Sequence, residues 1–188
     1  MKATCFVGVA VIAVALALSG CGRRAGLGPG AVSLPEWAPK NPSPEFLRAA
    51  KVLKPVPPER MPKPLGNLLA PYASIVYPAS YEFFGTLRDQ QIQEFLAAKE
   101  IRIPVNSLTR LQRAALDAWF AAFRDAMKGG PPQFSDYLAI LYNMGAKEDF
   151  SNVLVGFQAQ RGHFVHIIFW VTPPGGKEDY ACTSFAEI

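Results

Sequence analysis

Histidine, serine and cysteine are the side chains through which this 188-residue chain could do chemistry, and few of them have useful spacing. The two histidines, His163 and His166, lie three apart in a run with strand character. Two imidazoles so close could share a metal ion, but residues three apart on a strand point to opposite faces. No cysteine or carboxylate within that strand completes a tetrahedral set. The sequence therefore assigns no metal and no cofactor. His166 reads as a neutral, hydrogen-bonded imidazole facing the core, and His163, beside a turn, as solvent-exposed. A hydrolase or metal-binding enzyme would have to be built around His163 or His166 with Glu148 or Asp149 as the carboxylate partner. Ser107, Ser135, Ser151 and Ser184 are available as nucleophiles, yet none sits in a Gly-x-Ser-x-Gly elbow. Ser107 and Ser135 are better explained as helix or turn starters, and Lys147-Glu148-Asp149 as a solvated loop. The chain has no phosphate loop, dinucleotide fingerprint or Cys-x-x-Cys pair.

Cysteine gives a sharper signal. Cys21 closes Leu18-Ser19-Gly20-Cys21, which follows one positive charge at Lys2 and an unbroken apolar run from Phe6 to Leu18. Charge, apolar stretch and small residues in that order are the layout of a secretory signal. The run of about 13 residues is shorter than the roughly 20 a spanning helix needs. With its cysteine directly after the small residues, the segment resembles the lipobox of bacterial lipoproteins. That resemblance implies diacylglycerol on the Cys21 thiol, cleavage before Cys21 and acylation of the new amine, with palmitate as a typical chain. Gly22, rather than Asp, resembles the pattern of lipoproteins sent to the outer membrane in a host that has one. The implied address is extracytoplasmic and membrane-anchored, on the periplasmic face of the outer membrane in a diderm. Cys5 would leave with residues 1–20, and Cys182 would remain as the free thiol, so no intramolecular disulfide is expected. Without a nearby His or basic residue, Cys182 reads as a small apolar filler.

Half of the residues are apolar and 12% aromatic, which is the composition of a packed globular protein. The formal charge of +4 is small and spread along the chain. Together with a secreted address it argues against nucleic acid as a partner. Arg23 and Arg24 follow the lipid site and could touch anionic headgroups, each worth about 1 kcal/mol near a charged surface, or simply be solvated.

Proline marks the organisation. Of the 17 prolines, ten fall between Pro29 and Pro64. Pro55-Val56-Pro57-Pro58 and Pro62-Lys63-Pro64 favour extended, polyproline-like chain. Residues 21–64 thus read as a Pro-rich tether, with 65–188 as the body. One helix is expected inside the tether, over about 44–53: Ser43 caps it, Pro44 takes its first position, and Phe46, Leu47, Ala50 and Leu53 form a stripe. Too short to be stable alone, it should dock on the body. Residues 66–84, broken by Pro71 and Pro78, read as irregular or as one short helix. Two clearer helices follow, from Arg88 to Lys99 and from a Thr109/Gln112 capping box to about Lys128, stopping at Gly129-Gly130-Pro131-Pro132. The second places Leu111, Ala115, Leu116, Trp119, Phe120, Phe123 and Met127 on its apolar side. The two echo each other: Leu87-x-x-x-Gln91-x-x-x-Phe95 matches Leu108-x-x-x-Gln112-x-x-x-Leu116, either by chance or through duplication of a helical hairpin.

The period then changes to that of strands. Asn152–Gln160 and His163–Thr172 flank Arg161-Gly162, which predicts a two-residue hairpin turn. That turn pairs Gln160 with His163, Phe157 with His166 and Val153 with Trp170. His166 would then share a face with Val153, Val155, Phe157, Phe164, Ile168 and Trp170. Asp136–Asn143 reads as a further strand, with a short helix between Ser135 and Gly145 as its rival, and Asp179–Phe185 as a short edge. Because Phe164 to Val171 is apolar on both faces, it must be covered twice. The second cover could be the 44–53 helix, or a partner or ligand, which makes Phe164, His166, Ile168 and Trp170 a candidate binding face.

The expected class is α+β: a helical layer followed by a C-terminal antiparallel β-meander and preceded by a Pro-rich tether. Two helices followed by three strands over about residues 86–172 is similar in element order to the small lipoproteins of outer-membrane β-barrel assembly (SmpA/OmlA type). No residues or function carry over from an element order alone. The expected role is a non-catalytic binding or assembly module, anchored through lipid on Cys21 and working with an envelope protein. The enzyme described above and a purely structural spacer are the alternatives.

Overall fold

The computed structural model describes residues 34–61, 72–127, 152–160, 164–172 and 175–188. Cys21, the 136–143 segment, Glu148, Asp149 and His163 lie outside these. The class is α+β. In chain order the elements are α1 (Pro44–Ala50), α2 (Ala73–Gly85), α3 (Asp89–Ala98), β1 (Glu100–Pro104), α4 (Arg110–Met127), β2 (Val153–Gln160), β3 (Phe164–Val171) and β4 (Asp179–Glu187). Among the described residues four strands form one antiparallel sheet in the order β1-β2-β3-β4, and the last three make the expected C-terminal meander.

The segment containing α1 starts as its sequence requires. Ser43 accepts a hydrogen bond of 2.9 Å from the Phe46 amide, Pro44 occupies the first turn, and the helix ends at Lys51, shorter than expected. It docks on α2. The Glu45 carbonyl passes so close to Gly85 that a Cβ there would come within 1.9 Å of it. Arg48 donates to the Gly85 carbonyl (3.1 Å) and pairs with Asp89. Trp37 wedges edge-on against the rings of Tyr77 and Tyr81, and Phe46 stacks on Tyr81. Beyond the helix, Lys54 and Glu187 exchange backbone hydrogen bonds of 2.7 and 2.9 Å, tying the segment to the end of β4. From Leu34 to Met61, the Pro-rich stretch is thus built onto the core.

The helix α2 runs through Pro78, where a break was expected. Proline inside a helix typically costs about 3 kcal/mol. Here the turns on either side bury Val76, Tyr77, Tyr81, Phe83 and Phe84, and that burial outweighs the loss. Strand β1 was not anticipated: the short alternation Glu100-Ile101-Arg102-Ile103 follows directly on α3, whose C-cap Lys99 takes a left-handed φ of 59° and turns the chain. On α4 the buried line is Gln112, Leu116, Trp119 and Phe123, whereas Leu111 is 55% exposed. A polar residue therefore holds a place the apolar pattern gave to leucine.

The hairpin register differs from the expected one. Gln160 pairs with Phe164 rather than with His163, so Gln158 faces His166 and Leu154 faces Trp170. The single-residue offset sends Val165, Ile167, Phe169 and Val171 to the helix-facing core with Val153, Val155 and Phe157. There Phe157 meets Phe83 and Phe84, Phe169 meets Trp119, and Phe185 of β4 meets Tyr81. His166, Ile168 and Trp170 turn to the opposite face. Since β3 is apolar on both sides, its own pattern cannot choose between the two registers.

Candidate functional site

The face of the sheet turned away from the helices gathers the polar residues with most chemical potential. From β1 it takes Glu100 and Arg102, from β2 Gln158, from β3 Phe164, His166, Ile168 and Trp170, and from β4 Cys182 and Ser184. A register shift in the β3/β4 ladder between Val165 and His166 brings Ser184 level with His166. The Ser184 Oγ lies 3.0 Å from His166 Nδ1, within hydrogen-bond distance.

That pair combines a serine and a histidine at the distance a nucleophile and its base require. Its surroundings give it a different role. His166 is 8% exposed and Ser184 1%, so no substrate carbonyl can approach the hydroxyl in this conformation. Desolvation pushes the His166 pKa down to about 4, which keeps the imidazole neutral and makes it a weak base at neutral pH. His166 is therefore a neutral, hydrogen-bonded imidazole, as the sequence suggests, but it lies on the opposite face from the one expected. Among the described residues no group of three or more His, Cys, Asp or Glu could hold a metal ion. Ser107 is not the starter expected from sequence: it ends the short 3-10 turn Val105–Ser107 and donates back to the Pro104 carbonyl (2.8 Å), while Thr109 caps α4.

Phe164, His166, Ile168 and Trp170 do share one face, as alternate residues of a strand must. In this structure the face is internal. Ile168 and Trp170 are buried, Phe164 is half-buried, and Arg102 sits over the Trp170 ring with its guanidinium carbon 4.3 Å from the centroid. Arg102 also bonds Glu100 (2.8 Å) and Glu178 (3.0 Å), while Gln158 donates to the other Glu100 oxygen. Burial opposes the charge on Arg102, but the two carboxylates more than offset that and raise its pKa. The covering helix proposed for this face is not α1, which packs on α2 on the other side of the sheet. Sequence reasoning missed Arg102 because it missed β1. The alternation of Ile101 and Ile103 with charged neighbours was the available signal.

A buried polar pair joins α2 to α4. Trp119 donates from Nε1 to the Ser80 hydroxyl (2.8 Å), which itself donates to the Val76 carbonyl (2.9 Å). Burial, with the Glu59 charge adding to it, pushes the Tyr77 phenol up to about 12, so it is neutral at physiological pH. Among the described residues no helix is long and apolar enough to cross a membrane.

Compared with protein-family models, with curated proteins and with solved structures, the chain matches none.

Proposed function

We propose that this chain is a bacterial lipoprotein whose α+β body is a non-catalytic binding or assembly module, held at the extracytoplasmic face of a membrane by lipid on Cys21. In a host with two membranes, the periplasmic face of the outer membrane is its proposed site. The observation that carries the reading is Leu18-Ser19-Gly20-Cys21 behind Lys2 and the apolar run. The body is consistent with the non-catalytic part. His166 and Ser184 satisfy each other in a closed space, and Arg102 is engaged by Trp170 and two glutamates.

The test has two stages. Growth with a clickable palmitate analogue should label the wild-type chain and leave Cys21→Ala unlabelled; an unlabelled wild type overturns the anchor. Crosslinking in intact cells, followed by mass spectrometry, should then give a discrete envelope-protein adduct. Absence of any adduct favours a plain spacer. A hydrolytic activity that disappears in a folded His166→Gln variant overturns the non-catalytic role.

A further inference from the structure

Between Cys21 and the first described residue, Leu34, lie 13 peptide steps, which span at most about 45 Å whatever their conformation. Once the Pro-rich stretch from Leu34 to Met61 is docked on the body, this is all the chain left to separate body from lipid. The first helix after that short lead is α1, and one of its faces is exposed. Pro44, Leu47 and Lys51 lie on one stripe of the helix at i, i+3 and i+7, opposite the buried Phe46 and Ala49. All three are exposed, Leu47 by 37%, and the exposed Lys40 and Lys54 lie four residues before and four residues after the helix in sequence. Ion pairs join Arg48 to Asp89, Arg60 to Glu187, and Arg102 to Glu100 and Glu178. Lys40, Lys51 and Lys54 take part in none of these. Three acidic groups share the segment: Glu36 and Glu59 are exposed, and Glu45 is half-buried where α1 crosses Gly85.

We propose that this face, Leu47 with Lys51 on the helix and Lys40 and Lys54 in the chain on either side of it, rests on an anionic phospholipid surface and so fixes the orientation of the body on its membrane. The proposal rests on the lipoprotein reading, because acylation of Cys21 supplies the proximity. An exposed leucine among unpaired ammonium groups suits the headgroup boundary, where the apolar chain enters the interface and the charges meet phosphate. Each lysine near such a surface contributes about a fivefold preference, and three together on the order of 100-fold. Lys177 precedes β4 at the end opposite Glu187, about 30 Å along the strand, and serves as a distant reference position.

The test uses the acylated protein in vesicles, with Cys182→Ala removing the second thiol of the chain from Cys21 onward and circular dichroism checking the fold. Mass spectrometry first establishes the acyl chains on Cys21; an unmodified Cys21 overturns both the anchor and this proposal. A fluorophore is then placed at Leu47→Cys or at Lys177→Cys, in neutral vesicles and in vesicles with about 30% phosphatidylglycerol, each carrying nitroxide-labelled lipid. The Leu47 probe should be quenched severalfold more in the anionic vesicles than in the neutral ones. Half-molar salt, or Lys40→Glu with Lys51→Glu and Lys54→Glu, should remove the difference, and the Lys177 probe should show none. An acylated protein whose two probes are quenched alike, or whose Leu47 probe ignores lipid charge, overturns the assigned face and leaves the anchor standing.

Discussion

Gln112 donates a hydrogen bond of 3.1 Å from its side-chain amide to the Gln91 side-chain oxygen, joining the first turns of two helices across 21 residues of sequence. Each glutamine also closes its own helix start: Arg88 N–H donates to Gln91 Oε1 (2.9 Å) and Thr109 N–H to Gln112 Oε1 (3.1 Å). Gln112 further reaches the Thr86 carbonyl (3.3 Å). The sequence echo between the helices thus corresponds to a physical junction of α3 and α4, in which both amides are buried and shared.

This junction should behave as one unit. Gln112→Ala is expected to cost about 1–3 kcal/mol in urea unfolding, since it removes a cap and orphans a buried carbonyl. Gln91→Ala should cost less. A double-mutant cycle on the pair should give a coupling of about 0.5–1.5 kcal/mol; additive losses would mean that the two caps act separately.

The indole of Trp119 depends on a single hydroxyl. Ser80→Ala leaves its buried N–H without an acceptor and should destabilise by about 1–3 kcal/mol, while Ser74→Ala, an exposed position on the same helix, should be near neutral. Equal effects at the two sites would remove the significance given to that hydrogen bond.

Close backbone approach makes two glycines hard to replace. A Cβ at Gly85 would meet the Glu45 carbonyl at 1.9 Å, and one at Gly156 the Ile101 carbonyl at 1.8 Å. Gly85→Ala should push α1 off α2, and Gly156→Ala should part β1 from β2, each at roughly 1–3 kcal/mol. Hydrogen exchange can tell the two apart. Loss of protection should centre on residues 44–54 in the first variant and on 100–104 in the second.

Acid should weaken the fold through His166. Its folded pKa of about 4 lies below the unfolded value of about 6.5, so the unfolded chain takes up the proton first. The contribution is complete above pH 6.5, declines as pH falls, and levels off below 4. The total loss is roughly 3 kcal/mol at most. Unfolding free energies measured across this window should show a shallower slope in His166→Gln. An unchanged slope would assign the acid sensitivity elsewhere.

Several elements were legible because their signals are local. Ser43 with Pro44, and Thr109 with Gln112, start helices through contacts within one turn, and the α+β order follows from the change of period after α4. The candidate site was not legible in the same way. The placement of His166 depends on whether Gln160 pairs with His163 or with Phe164, and a strand apolar on both faces carries no preference. Only pairing with β4, which sets Ser184 beside His166, and with β1, which sets Arg102 near Trp170, selects the register. Pro78 shows the same division: its residue type argues for a break, and burial of the flanking aromatics overrides it. By itself the sequence determined the proposed anchor and the helix starts, because those signals are read over a few neighbouring residues. Tertiary structure decided which faces are buried, because that choice is a sum over contacts between segments far apart in the chain.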